Sequence, residues 1–201
     1  MDALAELLDA DAPARMFAAD HTLWAPEPTE ITNRLGWLSE PDRMRHEITA
    51  LHQFVHDVRS AGIDQVLWCG MGGSSLFPEL LAGSALPSAD APRMVVLDSS
   101  HPAAVLRAHE FARSAPTLVV VASKSGGTIE TRSHLDYLWH HLPGGDHFAA
   151  VTDAGSALDA LAHEQGFRSV FHANPNIGGR FSALSHFGQI GRAHVELPVT
   201  Q

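Results

Sequence analysis

Short apolar runs alternate with amphipathic stripes along most of the chain after residue 62. The runs are followed by turn residues and cover residues 66–69, 94–97, 118–122, 148–151 and 169–171. Helical spacing of apolar residues appears between them, as at Leu135, Leu138 and Leu142. Alternation of this length is typical of βαβ units, whose right-handed crossovers build a parallel sheet. The pattern predicts an α/β fold, with a five-stranded parallel sheet and helices on both faces.

Residues 1–62 lack this alternation. Up to residue 38 the sequence carries prolines and no sustained periodicity, which predicts an N-terminal arm with short helical pieces. Ser39 then precedes Pro41 and Asp42, a pattern that marks a capped helix start. A stripe with helical spacing follows and comprises Met44, Ile48, Leu51, Val55 and Val58. We therefore predict an arm and one amphipathic helix over 1–62, followed by an α/β domain over 63–188.

Charge and composition narrow the function. The 201 residues carry a formal net charge of −10, which argues against a nucleic acid or an anionic membrane as partner. No apolar run approaches the roughly 20 residues of a membrane span, and the N-terminus is acidic, so we predict a cytoplasmic protein. The 14 histidines form no motif of metal-ligand spacing, and the single cysteine excludes a multi-thiolate site within one chain. The sequence predicts neither a metal nor an organic cofactor.

The first loop with candidate chemistry is the run Gly70 to Ser75, between a predicted strand and a predicted helix. Its glycines allow close backbone approach, and the helix start offers free amides to an anion. Asp98, at the end of the second strand, stands where a dinucleotide-binding domain has its ribose-binding acid. Ser75 occupies the third glycine position of the GxGxxG fingerprint, which disfavours a dinucleotide. A tight turn without ligand remains a second alternative.

The loop after the third run, SKSGGTIET, begins at Ser123 and gives a sharper signal. Hydroxyls, two glycines and Lys124 at a helix start supply several donors to one phosphate, and the lysine would add a point charge. The GxxxxGK frame is absent, so this is not a Walker A loop. Glu130 falls in the first helical turn, where a carboxylate can accept a sugar hydroxyl. A purely structural Ser/Thr cap is the alternative interpretation.

A third loop, IGGRFS, follows the fifth run. Gly178 and Gly179 before Arg180 predict an unusual backbone path that aims the guanidinium inward, where its charge could stabilise an oxyanion. An ordinary surface arginine after a Gly-Gly turn is the alternative, and this loop alone does not exclude it.

Together the stretches GMGGSSLFPEL, SKSGGTIET and NIGGRFSALSHFG resemble the first sugar-isomerase (SIS) domain of the phosphoglucose isomerase family, in order and in spacing. The segment DHTLWAPEPTEITNRLGWL also looks like the start of the isomerase portion of bacterial proteins that fuse transaldolase to phosphoglucose isomerase. The resemblance covers about residues 15–188. It implies a SIS-type, flavodoxin-like three-layer sandwich.

The resemblance also implies roles for individual residues. The implied substrate-binding set is Gly73, Ser74, Ser123, Lys124, Ser125, Thr128 and Gly179. Within it the hydroxyls, with the backbone around Lys124, would hold the phosphate, while Gly73 and Ser74 would line the sugar. Glu130 would lie beside the sugar carbons, and Arg180 would stabilise a cis-enediolate. The implied reaction interconverts glucose 6-phosphate and fructose 6-phosphate without a metal or an organic cofactor.

This chain departs from the family in its length. The family's general-base glutamate, ring-opening histidine and a further lysine come from a second SIS domain and a C-terminal helix. We therefore expect an N-terminal fragment that binds sugar phosphate without useful turnover, from a full-length protein that is a homodimer. Residues 189–201 lack helical periodicity and resemble a translated sequencing adaptor, so we expect a non-native tail. The alternative function is a non-catalytic, regulatory SIS module that binds a sugar phosphate.

Overall fold

The computed structural model describes residues 2–84 and 92–195. The helices are α1 Ala3–Asp9, α2 Ala12–Phe17, α3 Glu40–Ser60, α4 Leu76–Ser84, α5 Pro102–Ser114, α6 Ile129–Trp139, α7 Ala157–Glu164 and α8 His186–Val195. The strands are β1 Gln65–Gly70, β2 Arg93–Leu97, β3 Thr117–Ala122, β4 Phe148–Thr152 and β5 Ser169–His172. Short 3₁₀ turns supplement the first two helices in the N-terminal arm.

All five strands form one parallel sheet in the order β2-β1-β3-β4-β5. This confirms the predicted five-stranded parallel sheet. The central strands β1 and β3 pair in register from Gln65 opposite Thr117 to Gly70 opposite Ala122, and every residue of both strands is buried. Burial on both faces explains why these strands appear in the sequence as continuous apolar runs.

One face of the sheet is covered by α3 and α8. Met44, Leu51 and Val58 of α3 pack with Trp68 and with other side chains that point to this face. From α8, Phe187 and Ile190 join the same cluster. α4 packs against α8 and β2. The stripe predicted for α3 therefore marks its buried face.

The opposite face is covered by α5, α6 and α7. Ala108 and Ala112 of α5, Leu135 and Leu138 of α6, and Leu158 and Ala162 of α7 pack on the strand side chains of this face. Small residues on α5 bring that helix close to β1 and β3. The fold is thus a three-layer α/β sandwich with an N-terminal helical arm, as predicted.

The start of α3 differs in detail from the predicted capping pattern. Ser39 occupies the N-cap position, but its hydroxyl donates to the Gly36 carbonyl at 3.3 Å and caps no helix amide. The helix begins at Glu40, whose side chain is buried. The predicted start position is confirmed, whereas the predicted capping bond is wrong.

The expectation that residues 189–201 lack helical regularity is wrong for 189–195. These residues continue α8, and Ile190 is buried against the sheet. Residues 196–201 lie outside the described residues. The non-native origin of the tail stays a prediction, as does the division of the chain at residues 62 and 188.

Cys69 lies in the central strand β1 and is buried. Burial raises the pKa of its thiol far above the usual range. In the described part of the chain, no helix has the length and the apolar character that crossing a bilayer requires. Within the same residues, no cluster of three or more His, Cys, Asp or Glu side chains is placed to hold a metal ion.

Candidate functional site at the carboxyl edge of the sheet

The strand order reverses direction between β1 and β3. The chain leaves β1 toward β2 on one side and later enters β3 on the other side. Ligands of open parallel sheets bind at such a switch point, beyond the carboxyl ends of the strands. Gly70 and Ala122 are register partners at these two ends. The loops beginning at Met71 and Ser123 therefore start side by side.

The loop after β1 is a tight turn held from below. Gly72 has φ of +54°, and the amides of Ser74 and Ser75 donate to the carbonyls of Met71 and Gly72 at 3.1 and 3.0 Å. The indole N–H of buried Trp68 donates to the Ser74 carbonyl at 2.8 Å. Gly73 and Ser74 are partly exposed at the top of this turn.

The loop after β3 is cross-linked by its own hydroxyls and amides. Ser123 is buried, and its Oγ lies 3.1 Å from the Thr128 hydroxyl. The amides of Gly126 and Gly127 donate to the Ser123 carbonyl at 3.1 Å and to the Ser125 hydroxyl at 3.3 Å. This compact loop brings three hydroxyl residues to the start of α6.

The N-terminus of α6 completes that loop. Thr128 is the N-cap residue, and it uses its side chain on Ser123 rather than on a helix amide. The amides of the first helical turn have no acceptor within the helix, so the positive end of the helix dipole meets the Ser123–Thr128 loop. This combination of free amides and hydroxyls suits an anionic group.

The Lys124 side chain is bonded within the protein. Its ammonium donates to Asp153 Oδ2 at 2.6 Å and to the Pro175 carbonyl at 2.9 Å. These two bonds make the ammonium a link between the loops after β3, β4 and β5. That the ammonium adds a point charge for a phosphate stays a prediction. The role of the Lys124 backbone stays a prediction.

The turn after β5 touches the turn after β1. A Cβ atom on Gly73 would collide with the backbone of Gly179. Ser182 Oγ donates to the carbonyls of Gly179 and Gly73, at 2.6 and 3.2 Å. Close approach of two backbones is thus the reason that residue 73 is a glycine.

The backbone path expected at Gly178 and Gly179 is wrong. Gly178 has φ of −67° and ψ of 143°, values open to any residue, and Gly179 does not have a positive φ. The contact with Gly73, rather than an unusual dihedral angle, determines the geometry here. Arg180 is exposed and has no hydrogen-bond or ion-pair partner among the described residues.

Glu130 lies in the first turn of α6 and is partly exposed. One turn later, buried His134 donates from Nε2 to the Ser99 carbonyl at 3.1 Å. Burial holds the pKa of His134 below its usual value, against the opposing effects of the Ser99 bond and of the Glu130 and Asp98 charges. His134 therefore ties α6 to the loop after β2 in its neutral form.

The structure brings the three predicted loops to one edge of the sheet. The turns at Gly73 and Gly179 are in contact, and the Lys124 side chain reaches the Pro175 carbonyl. Sequence reasoning missed Asp153 and Ser182, which connect the loops. Asp153 follows β4 and Ser182 lies in a 3₁₀ helix over Gly179–Leu184, and only their partners in space reveal that they connect the loops.

Comparison with known protein families matches residues 41–195 to phosphoglucose isomerase. The chain belongs to the phosphoglucose isomerase family. The resemblance predicted from the three loops is thereby confirmed, and the match begins at the first turn of α3 and extends to the last residue of α8.

Individual members of the phosphoglucose isomerase family agree with this assignment. Glucose-6-phosphate isomerase of Thermosynechococcus vestitus is 33% identical over 181 residues, which cover 78% of this chain and 34% of that protein. The chain thus spans about one third of the length of the curated relatives it matches.

Solved structures show the same SIS-type architecture. A hypothetical protein from Thermus thermophilus superposes with a TM-score of 0.76 at 27% identity, over 97% of this chain and 47% of that chain. A glucose-6-phosphate isomerase from Chlamydia trachomatis superposes with a TM-score of 0.63 at 27% identity, over 87% of this chain and 33% of that chain.

Proposed function

We propose that this chain is the phosphate-binding part of a glucose-6-phosphate isomerase, which interconverts glucose 6-phosphate and fructose 6-phosphate. The observation that carries the proposal is the meeting of three loops at one switch point, one of them rich in hydroxyls at a helix N-terminus. Membership of the phosphoglucose isomerase family supports the same reaction. The fragment status of the chain is part of the proposal.

In this proposal the phosphate binds at the N-terminus of α6. Ser123, Ser125 and Thr128 donate from their hydroxyls, and the backbone amides around Lys124 complete the set. Local donors of this kind are needed because the chain as a whole carries a net charge of −10. The Lys124 ammonium contributes indirectly, because its bond to Asp153 fixes the loop.

The sugar in this proposal lies along the contact between the turns after β1 and β5. Gly73, Ser74 and Gly179 line it, because their backbones approach each other with no side chain between Gly73 and Gly179. Exposed backbone groups and the Ser74 hydroxyl then face the sugar hydroxyls. In this proposal the sugar is next to Arg180.

The proposed chemistry is a proton shift between C2 and C1 of the open-chain sugar. A base removes the C2 proton of the aldose, the electron pair forms a C1–C2 double bond, and charge accumulates on O1. Arg180 stabilises this cis-enediolate through its permanent charge, and Glu130 lies beside the sugar carbons. The O2 proton then passes to O1, the electrons of the C1–C2 double bond take up a proton at C1, and the carbonyl that forms at C2 gives the ketose.

We assign the base to no residue of this chain. Proton abstraction requires a carboxylate or an imidazole within hydrogen-bond reach of the carbon-bound proton. Residues from the remainder of a full-length, homodimeric, cytoplasmic enzyme supply it in this proposal. The 201-residue chain alone is therefore expected to bind substrate without useful turnover. Family-like isomerisation by the purified chain would contradict the fragment hypothesis.

Ligand-induced stabilisation tests the binding proposal. Fructose 6-phosphate at a hundred times its dissociation constant is expected to add about 2.7 kcal/mol to the free energy of unfolding. Ser125→Ala removes an exposed hydroxyl of the loop and is expected to weaken this effect. Ser133→Ala, on the exposed side of α6, is the matched control. An unchanged melting temperature with fructose 6-phosphate for the wild-type chain would remove the basis of the proposal.

A further inference from the structure

A buried carboxylate of the N-terminal region reaches the loop that precedes Arg180. Glu40, the first residue of α3, is completely buried. Its carboxylate accepts from Arg43 Nε and Nη2 at 2.9 and 2.6 Å, a bidentate arrangement. It also accepts from Asn174 Nδ2 at 3.0 Å, across 134 positions of sequence. The Asn174 bond is not needed for pairing Glu40 with a cation.

The bond from Glu40 continues along the loop after β5. Asn174 Oδ1 accepts from the Asn176 amide at 3.0 Å, and the Asn176 carbonyl accepts from the Gly36 amide at 2.9 Å. A Cβ on Gly36 would lie 2.8 Å from that carbonyl oxygen, so this approach requires glycine. The loop is thus fixed at residues 174 and 176 by groups from residues 36–40.

The same N-terminal segment holds the far end of the loop. Leu35 forms an isolated antiparallel bridge with Ile177, which is buried. The Trp37 ring stacks on the Phe181 ring with centroids 5.9 Å apart. Contacts from residues 35–40 therefore lie on both sides of Arg180, while Arg180 itself has no partner among the described residues.

We propose that Glu40 and Asn174 are positioning residues that determine where the Arg180 guanidinium lies, which makes the segment before α3 part of the site. The inference rests on the proposed function. A charged group acts on a transition state only if it is held within about 0.5 Å of its productive place. Arg180 has no bond of its own to hold it among the described residues, so its backbone must be fixed by the loop.

The experiment compares two ligands that share the phosphate and differ at the other end. Arabinonate 5-phosphate carries a carboxylate where the enediolate charge would form, whereas glucitol 6-phosphate carries an uncharged hydroxyl. The ratio of their dissociation constants reports on Arg180 and is insensitive to the phosphate loop. We expect the wild-type chain to prefer the carboxylate by about tenfold or more, and Arg180→Ala to bring the ratio close to one.

Two variants change the hydrogen bond between Asn174 and Glu40 and leave the volume of the side chain almost unchanged. Asn174→Asp keeps the acceptor for the Asn176 amide but replaces the donor to Glu40 by a like charge. Glu40→Gln keeps the shape and removes the charge. Both are expected to lower the ratio about fivefold and to keep the glucitol 6-phosphate affinity within about twofold. Asp42→Asn, an exposed carboxylate of the same helical turn, is the matched control and is expected to keep the wild-type ratio.

Each outcome decides between the two hypotheses. If the Asn174 and Glu40 variants keep the wild-type ratio while Arg180→Ala loses it, the positioning inference is wrong and the proposed function stands. If the variants lower the affinity for both ligands equally, Glu40 and Asn174 have a merely structural role, and the positioning inference is also refuted. If the wild-type chain binds neither ligand, the proposed function fails, and the inference fails with it. Addition of Asn174→Asp to Arg180→Ala should lower the ratio no further.

Discussion

The loops after β3 and β5 end at the same edge of the sheet but are held in different ways. The Ser123–Thr128 loop has short-range bonds of its own, such as the pair of Ser123 and Thr128 hydroxyls, and the Lys124 side chain adds bonds to Asp153 and Pro175 later in the chain. The loop from Asn174 to Arg180 depends on partners more than a hundred positions away, such as Glu40. Local bonds belong to a short stretch of sequence, whereas distant bonds exist only after the chain has folded.

The two loops should therefore respond differently to amino-acid substitutions. A substitution that removes a short-range bond of the β3 loop, such as Ser125→Ala, acts on neighbouring groups, so its effect should stay in that loop. The β5 loop should instead respond to substitutions in the N-terminal arm and in the turn after β1. Substitutions in either loop should reveal this contrast.

Gly126→Ala should destabilise the β3 loop most. Gly126 has φ of +69°, and an added Cβ would lie 2.8 Å from Ser156 Oγ. The left-handed backbone strain costs about 1–2 kcal/mol and the overpacking about 1–3 kcal/mol, so the free energy of unfolding should fall by about 3 kcal/mol. Gly72 also has a positive φ, but an added Cβ would meet no other atom, so Gly72→Ala should lower the free energy of unfolding by only about 1 kcal/mol. Denaturant unfolding measures both, and equal losses would contradict the steric part.

Gly73→Ala should separate the turns after β1 and β5. The new methyl group would collide with the Gly179 backbone, and overpacking of this kind costs about 1–3 kcal/mol. Sugar-phosphate affinity should fall with stability, because both turns line the proposed sugar site. Gly83→Ala is the control, because Gly83 lies in α4 and an added Cβ there would meet no other atom. It should raise the free energy of unfolding by roughly 0.5–1 kcal/mol. Unchanged stability of Gly73→Ala in thermal unfolding would show that the turns separate freely.

Lys124→Met should cost about 1 kcal/mol, because it leaves the partly buried Asp153 carboxylate without its cation. Asp153→Asn and the double variant complete a mutant cycle, in which a coupling near zero would refute the structural role. Since the ammonium is already bonded to Asp153 and Pro175, fructose 6-phosphate affinity should change less than about threefold. A tenfold loss would instead indicate that the ammonium meets the phosphate.

His134 should give the smallest effect, seen as a dependence of stability on pH. Its folded pKa lies below the unfolded value of about 6.5, so the unfolded chain takes up the proton first as the pH falls. The contribution of neutral His134 to the free energy of unfolding is complete above the unfolded pKa and decreases as the pH drops toward the folded pKa. His134→Gln should flatten the fall in unfolding free energy between about pH 7 and 5. Part of the slope should remain, because burial also lowers the pKa of His186.

Much of the fold could be predicted from the sequence because the signals were local. Each predicted strand lies within one residue of the observed strand at either end, since buried parallel strands are continuous apolar runs. The stripe of α3 identified its buried face for the same reason. The β3 loop could be predicted because hydroxyls, glycines and a helix start are adjacent in the chain.

The features that the sequence did not reveal depend on contacts between residues that are far apart in the chain. Nothing near Lys124 indicates that Asp153, 29 positions later, binds its ammonium. Gly73 was predicted to line the ligand, and nothing near it in the sequence indicates its contact with the Gly179 backbone. Nothing in the sequence distinguishes Glu40 from an ordinary acid at a helix start, and its burial follows only from Arg43 and Asn174.

The burial of Cys69 makes the chain convenient for site-specific labelling. Thiol reagents attack the thiolate, and a buried thiol of raised pKa offers almost none at neutral pH. Because the chain has no other cysteine, one introduced at an exposed position should react with maleimide alone, without prior removal of Cys69. Fluorophores or spin labels on the arm and on α6 could then measure distances in the otherwise unmodified protein.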